Sequence, residues 1–327
     1  MNLYRLKLKP LSPWRTPWQA DTLAGLLCRA CARLEGGAYL HEHILAPALQ
    51  GNPPFITSDA FPGDLLPVPE SVRLQPWPPE QQKIMRKARW VSLPAFKNAQ
   101  AGQALTLDQL VQDPSFQTEA HVHNTLDRLT DTTQGEGLSI YTTDEYWLRG
   151  ADYLSIYVRV GEEFKAILLR LFEELAQTGF GADVSLGKGQ FELASEFEPL
   201  QAELDAVENA NGIITLLTFQ PATHDPTVGG WQAFTKFGKL AEDFGAGNVF
   251  KLPQLMLRPG AFFLTGQLPE KLGRALPMEE VLPPDTCQFL RGKGFDIAQL
   301  AFGLAVPARV HFGKWASSCA PVAVPGA

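Results

Sequence analysis

The sequence predicts an α+β chain of two units, the first interrupted by long loop insertions and the second smaller and β-rich. Three observations carry this. The first 193 residues read strand, helix, irregular insertion, two strands, helix and strand, the β-α-β-β-α-β order of a ferredoxin-like arrangement. Glu192, Glu196, Glu198, Glu203, Asp205 and Glu208 then follow without an intervening Lys or Arg. This marks a linker, and it divides the chain into units 1–205 and 206–327. From Gly212 the apolar run GIITLLTFQP opens a further set of strands, a degenerate version of the first unit. A chain of 327 residues gives each unit enough length for its own core.

The elements follow in order. Residues 2–9 alternate in the manner of a strand. The connection PLSPWRTPW leads to Asp21, predicted to cap a helix through Leu34 that places Leu23, Leu26, Leu27, Ala30 and Leu34 on one face. The helix stops at Gly36-Gly37. SDAFPGDLLPVPESVRLQPWPPE is too rich in proline for continuous regular structure and reads as a surface excursion. The basic segment KIMRKARW that follows fits either a strand or a helix. Residues 138–147 and 152–160 read as two strands joined by a turn at Gly150. EEFKAILLRLFEELAQTG is an amphipathic helix with Phe164, Ile167, Leu168, Leu171, Phe172 and Leu175 inward, closing at Gly179. In the second unit, NVFKLPQLMLRPGAFFLTGQL reads as two strands turning at Pro259-Gly260, and FGLAVPARVHF as the last.

Between the second helix and the strand Phe191-Glu192-Leu193 lies FGADVSLGKGQ, a loop with Gly181, Gly187 and Gly189 around Lys188. A nucleotide-hydrolysing phosphate loop fails here on spacing, and Gly189 stands where its hydroxyl residue belongs. A dinucleotide fingerprint needs a helix next, and a strand follows instead. Two alternatives remain open: a backbone anion site with a lysine, or a glycine hairpin.

The net charge of −7 argues against a general nucleic-acid binder, but the charge is divided. Residues 1–97 hold 12 Lys and Arg against 7 Asp and Glu, and residues 98–327 hold 16 against 28. The cations cluster in RLKLK and in KIMRKARW, with Lys83, Arg86, Lys87 and Arg89. Such asymmetry fits an anionic partner at one end of the chain. Cys28 and Cys31 form C-x-x-C inside a buried helix, and Cys287 and Cys319 do not complete a zinc set, so packed thiols are expected. No stretch of 18 apolar residues and no secretory leader pattern is present, from which a cytoplasmic protein is expected, with no membrane partner.

In order along the chain, the opening strand, DTLAG, FITSDAFPGDLLPVP, KIMRKARWVSLPAF, HVHNTLDRLTDTTQGEGLSIYTTDEYW, the Gly-Lys-Gly loop and FGLAVPARV resemble RAMP proteins of type III CRISPR effector complexes. The resemblance is to the Cas-five-like group that includes the fourth subunit of Csm complexes, and covers roughly residues 3–312. It departs from the family at Ala20, where Ser is usual, and at Asp131, where Gly is more common. It implies two ferredoxin-like domains and a noncatalytic antiviral-defence subunit that grips the 5′ tag of a CRISPR RNA. The implied protein partners are a large polymerase/cyclase-like subunit and a backbone RAMP subunit, with target RNA met through the complex and no cofactor.

For RNA the expected contacts are Gly187, Lys188 and Gly189, then Arg15 beside Trp14 and Trp18, Lys83, Arg86 and Lys87, and His121, His123 and Arg128. Backbone amides and cations suit phosphates, aromatic rings suit splayed bases, and the arginine fork suits paired acceptors. Competing readings give the tryptophans to the core, one of the two alternating histidines to packing, and Asp127 with Arg128 to a local network. The catalytic alternative is a metal-independent endoribonuclease using His41 and His43, or His121 and His123, as general acid and base. A His41-Glu42-His43 metal site lacks an evident third ligand. A third class is an interaction protein docking through Phe55, Phe61 and Trp77.

Overall fold

The computed structural model describes residues 1–111, 116–124, 140–241 and 244–310. The elements that position the site are, in chain order, β1 (Asn2–Pro10), α1 (Ala20–Leu34), β2 (Phe55–Thr57), α2 (Pro79–Lys87), β3 (Phe116–Asn124) and β4 (Ile140–Leu148). They continue with β5 (Leu154–Val160), α3 (Glu162–Thr178) and β6 (Phe191–Leu193). The second half adds β7 (Gly212–Thr215), β8 (Ala233–Lys236), β9 (Gln254–Leu257), β10 (Phe262–Leu264), β11 (Lys271–Pro277) and β12 (Ala298–Ala308).

The first sheet runs β6-β1-β5-β2, antiparallel throughout, with Leu6 opposite Ile156 at its centre. In β1, Tyr4, Leu6 and Leu8 face inward, while Arg5 and Lys7 pair with Glu198 and Lys9 pairs with Glu192. The basic RLKLK cluster is therefore neutralised by the acidic stretch that follows the last strand, and is not held ready for an external anion. Helices α1 and α3 pack on each other, and α1 also reaches β12. The apolar positions predicted for α3 are its buried face, with Ile167 half-buried at its margin, and the chain leaves it through Gly179 at φ +84°.

Several expectations need correction. Residues 140–148 and 154–160 are both strands but are not partners: β4 pairs with β3 as a separate two-stranded arm, and β5 enters the first sheet. The strands between α1 and α3 that join this sheet are thus led by β2 and β5, with β5 inside the sheet and the buried run Phe55–Thr57 of β2 at its edge. Nor is the proline-rich passage a surface excursion as a whole: Phe61, Leu66, Val68 and Val72 are in the core, and only residues 73–80 run along the surface. Proline limits the length of its strands, Phe61–Pro62 and Leu65–Pro67, without preventing burial. Phe55 and Phe61 are buried and offer no docking surface. Asp21 does not cap α1; it lies in the first turn and accepts from Lys236 Nζ at 2.6 Å and Gln299 Nε2 at 3.1 Å. The basic segment is both: Lys83–Lys87 end the helix α2, and Trp90 opens the short strand Trp90–Ser92.

The second sheet runs Gly229–Gly230, β10, β7, β12, β11. The strands on either side of Pro259-Gly260 exist, but β9 pairs with β8 in a separate ribbon while β10 joins the sheet. One apolar core runs from the first sheet into the second, and a smaller one lies under the β8-β9 ribbon. Arg159 of β5 is buried and links the halves: it donates to Asp205 at 2.6 and 3.0 Å and to the Ala305 carbonyl at 2.9 Å. Asp59 does the same, accepting from Ala20 N, Thr218 N and the Thr218 hydroxyl. Cys28 and Cys31 are free and buried, and burial pushes their thiols up to about 12 and about 11. Among the described residues no helix is long and apolar enough to cross a membrane.

Candidate nucleic-acid interface

The glycine loop lies along the connection Leu11–Thr16. Leu11 N donates to Gln190 O, Gly189 N to Pro13 O, Gln190 N to Ser12 Oγ and Ala182 N to Thr16 Oγ1. This close approach explains the glycines. At Gly189, φ is +66° and a Cβ would stand 1.9 Å from the Phe180 carbonyl oxygen; at Gly181 it would stand 2.7 Å from Thr16. Gly187, at φ +80°, faces open space and serves only the turn. The amides of Leu186, Gly187 and Lys188 donate to carbonyls of Asp183 and Val184 within the loop. From Leu186 to Gln190 every amide thus has an internal acceptor, and a backbone anion site at Gly187-Lys188-Gly189 is corrected to a docked turn presenting one cation.

That cation is shared with the arm. Lys188 Nζ lies 2.7 Å from Oε2 of Glu145, whose side chain is 1% exposed, while that of Lys188 is 24% exposed. His121 Nε2 stands 3.5 Å from the same oxygen and 3.9 Å from Glu119 Oε2. Arg15 forms an ion pair with Asp183 on the loop. Strand alternation accounts for Glu145: on β4 it faces inward with Thr143, while Asp144 points out.

The arm stands on an aromatic base. Trp14 and Tyr146 exchange backbone hydrogen bonds at 3.1 and 2.7 Å. The Trp14 ring meets Phe116 edge-on, and the Trp18 ring stacks on Phe180 at 3.7 Å. Both tryptophans are buried, so they are the arm's foundation and not platforms for bases. Outward along the arm, His123 Nε2 lies 2.9 Å from Thr143 Oγ1 and its ring stacks on half-exposed Tyr141 at 5.2 Å. Val122 and Ile140 are well exposed there.

Lys83, Arg86 and Lys87 are exposed on α2, with no carboxylate partner among the described residues. Three residues after Lys87, the Trp90 ring packs edge-on against Phe116 at the arm's base. The structure therefore gathers Arg15, Lys188 and His121 at the arm's root, places His123 further out, and ties the basic helix to the same base through Trp90. Arg128 lies outside the described residues. Sequence reasoning missed Glu145, Asp183 and Tyr141; for Glu145 the strand alternation of YTTDEYW was the available signal.

The other histidine candidates are elsewhere. His41 and His43 sit in a helical segment, not in a loop: His41 Nδ1 is 3.0 Å from Asp296 Oδ2, and His43 packs on Tyr39. Among the described residues no three His, Cys, Asp or Glu side chains are placed to hold a metal ion.

No family model matches the sequence, and no curated protein matches it. Solved structures do match the fold. A crystal structure of a Csm1-Csm4 cassette in complex with cA4 matches with TM-score 0.60 and 18% identity over 95% of this chain and 99% of that one. The cassette in complex with AMPPNP gives 0.60 and 19% over 96% and 100%. A Csm3-Csm4 subcomplex of the type III-A CRISPR-Cas interference complex gives 0.60 and 12% over 94% and 100%. The chain shares its fold with chains of these assemblies across nearly its whole length.

Proposed function

We propose that the chain is a noncatalytic RNA-binding subunit of a type III, Csm-like CRISPR effector complex. In this reading it grips the 5′ tag of the guide RNA and joins a large polymerase/cyclase-like subunit to a backbone RAMP subunit. The carrying observation is the convergence of Arg15, Lys188 and His121 at the root of an arm, beside a basic helix, on a fold shared with chains solved as Csm1-Csm4 and Csm3-Csm4 assemblies. Cations track the phosphates of a single strand, and the half-exposed Tyr141-His123 pair offers a stacking surface. RNA here meets side chains around Lys188, because the amides from Leu186 to Gln190 are committed internally.

Two ferredoxin-like domains, divided near residue 205, belong to the same proposal. Its support is the strand order β6-β1-β5-β2, with α1 after β1 and α3 after β5, followed by a second antiparallel sheet. A binding role without chemistry is favoured because Lys188 and His121 converge on one buried carboxylate, which holds them in place.

The test is co-expression with the two partner subunits and a guide RNA, followed by nuclease mapping and incubation of the purified chain with RNA. The expected result is a protected 5′ tag and uncut RNA. A complex that assembles with an unprotected tag contradicts the binding role, and cleavage abolished by His121→Ala establishes the ribonuclease instead.

A further inference from the structure

The ribbon of β8 and β9 carries a bare apolar face. Thr235 is opposite Leu255, and beyond the strands Lys239 bridges Phe250, so the pairing shifts by one residue between Gln254 and Lys251. Alternation then puts Phe237 and Lys239 with Leu255, Leu252 and Phe250 on one side, and Leu240 and Met256 on the other. Leu240 and Met256 fill the smaller core. On the outer side Phe237 is 75% exposed, Phe250 58% and Leu255 55%, with Leu252 exposed beside them. A continuous apolar surface of this kind, on a two-stranded ribbon that gains little stability by itself, marks an interaction site.

We propose that this face docks another protein subunit, one offering an apolar cleft with a carboxylate at its rim. The inference rests on the reading of the chain as a member of a multisubunit complex. Two observations favour protein over RNA as the occupant. Lys239 is the one cation among these five residues, and its Nζ lies over the Phe250 ring, 5.1 Å from the centroid. A single strand of RNA calls for several cations along its phosphates and open ring faces for its bases. Leu252 and Leu255 add aliphatic surface, which packs into protein clefts. Among the described residues Lys239 has no carboxylate partner, so its charge is available to one across the interface.

The experiment compares the wild-type chain with Phe237→Ser/Leu255→Ser and with Lys239→Glu, each co-expressed with the partner subunits and guide RNA. The expected result for the double variant is about tenfold less of one protein subunit after purification, with guide RNA retained, and a smaller loss for Lys239→Glu. Unchanged subunit ratios overturn the inference, as does loss of RNA without loss of a subunit. A concentration-dependent dimer of the isolated chain that the double variant abolishes assigns the face to a second copy and also overturns it. Should the double variant melt well below wild type, Lys239→Glu alone decides by the same criterion. A wild-type chain that enters no complex overturns the subunit reading and this inference together, whereas wild type and variants that assemble equally overturn the inference alone.

Discussion

The Lys188 ammonium lies 2.7 Å from a Glu145 carboxylate that is almost wholly removed from solvent, and this one contact ties the glycine loop to the arm. Loss of either partner has unequal effects. Lys188→Gln leaves a buried carboxylate without its cation, at a cost of about 3 kcal/mol, whereas Glu145→Gln leaves a lysine that can turn to water. Urea melts are expected to show the larger loss for Lys188→Gln, and the double variant close to Glu145→Gln. Equal single-site losses would mean that the carboxylate is not the costly member.

The loop's glycines separate by packing. Gly189→Ala drives a Cβ into the Phe180 carbonyl and must displace the turn, while Gly187→Ala meets nothing and incurs only left-handed backbone strain of about 1 kcal/mol. Thermal melts should rank Gly189→Ala clearly below Gly187→Ala, and similar melting points would contradict the docked turn.

Asp59 predicts a pH effect. Burial pushes its carboxyl up to about 6, against hydrogen bonds from Thr218 and Ala20 that pull it down. A folded-state value above the unfolded one means the folded chain binds the extra proton between about pH 4 and pH 6. This group's contribution to stability therefore falls as pH rises through that window and is constant above it, by up to about 3 kcal/mol. Asp59→Asn keeps partners for Thr218 and Ala20 and should remove that slope from melting points measured between pH 4 and 7. An identical slope in wild type and variant would assign the pH dependence elsewhere.

On α2, Lys83, Arg86 and Lys87 lie open to solvent. If they meet phosphates, changing all three to Gln should lower the salt dependence of RNA binding by about 2 in the slope of log K against log salt. Filter binding across salt concentrations checks this, and an unchanged slope removes the helix from the RNA path.

The sequence made legible what depends on local pattern. The α3 face, its stop at Gly179 and the strand Phe191–Leu193 stand where periodicity and glycine placed them, while the last strand starts earlier than read, at Ala298, and ends at Ala308. Pairing was not legible, because β4 and β5 alternate equally well whether they meet each other or different partners. Proline suggested exposure for a passage whose apolar residues fill the core. At the site, cations were readable as charges, but Asp183 and Glu145, which fix Arg15 and Lys188, are distant in sequence and carry no motif. The tryptophans beside Arg15 were ambiguous by composition alone, and burial resolves them as the arm's base.

The most direct measurement is nuclease protection of the guide RNA's 5′ tag in complexes carrying wild type, Glu145→Gln, Lys188→Gln and the double variant. Because Lys188→Gln alone also unsettles a buried carboxylate, the double variant is decisive. The account predicts protection with Glu145→Gln and its loss in both chains lacking Lys188. Protection restored in the double variant would contradict it and leave Lys188 a role only in holding the arm.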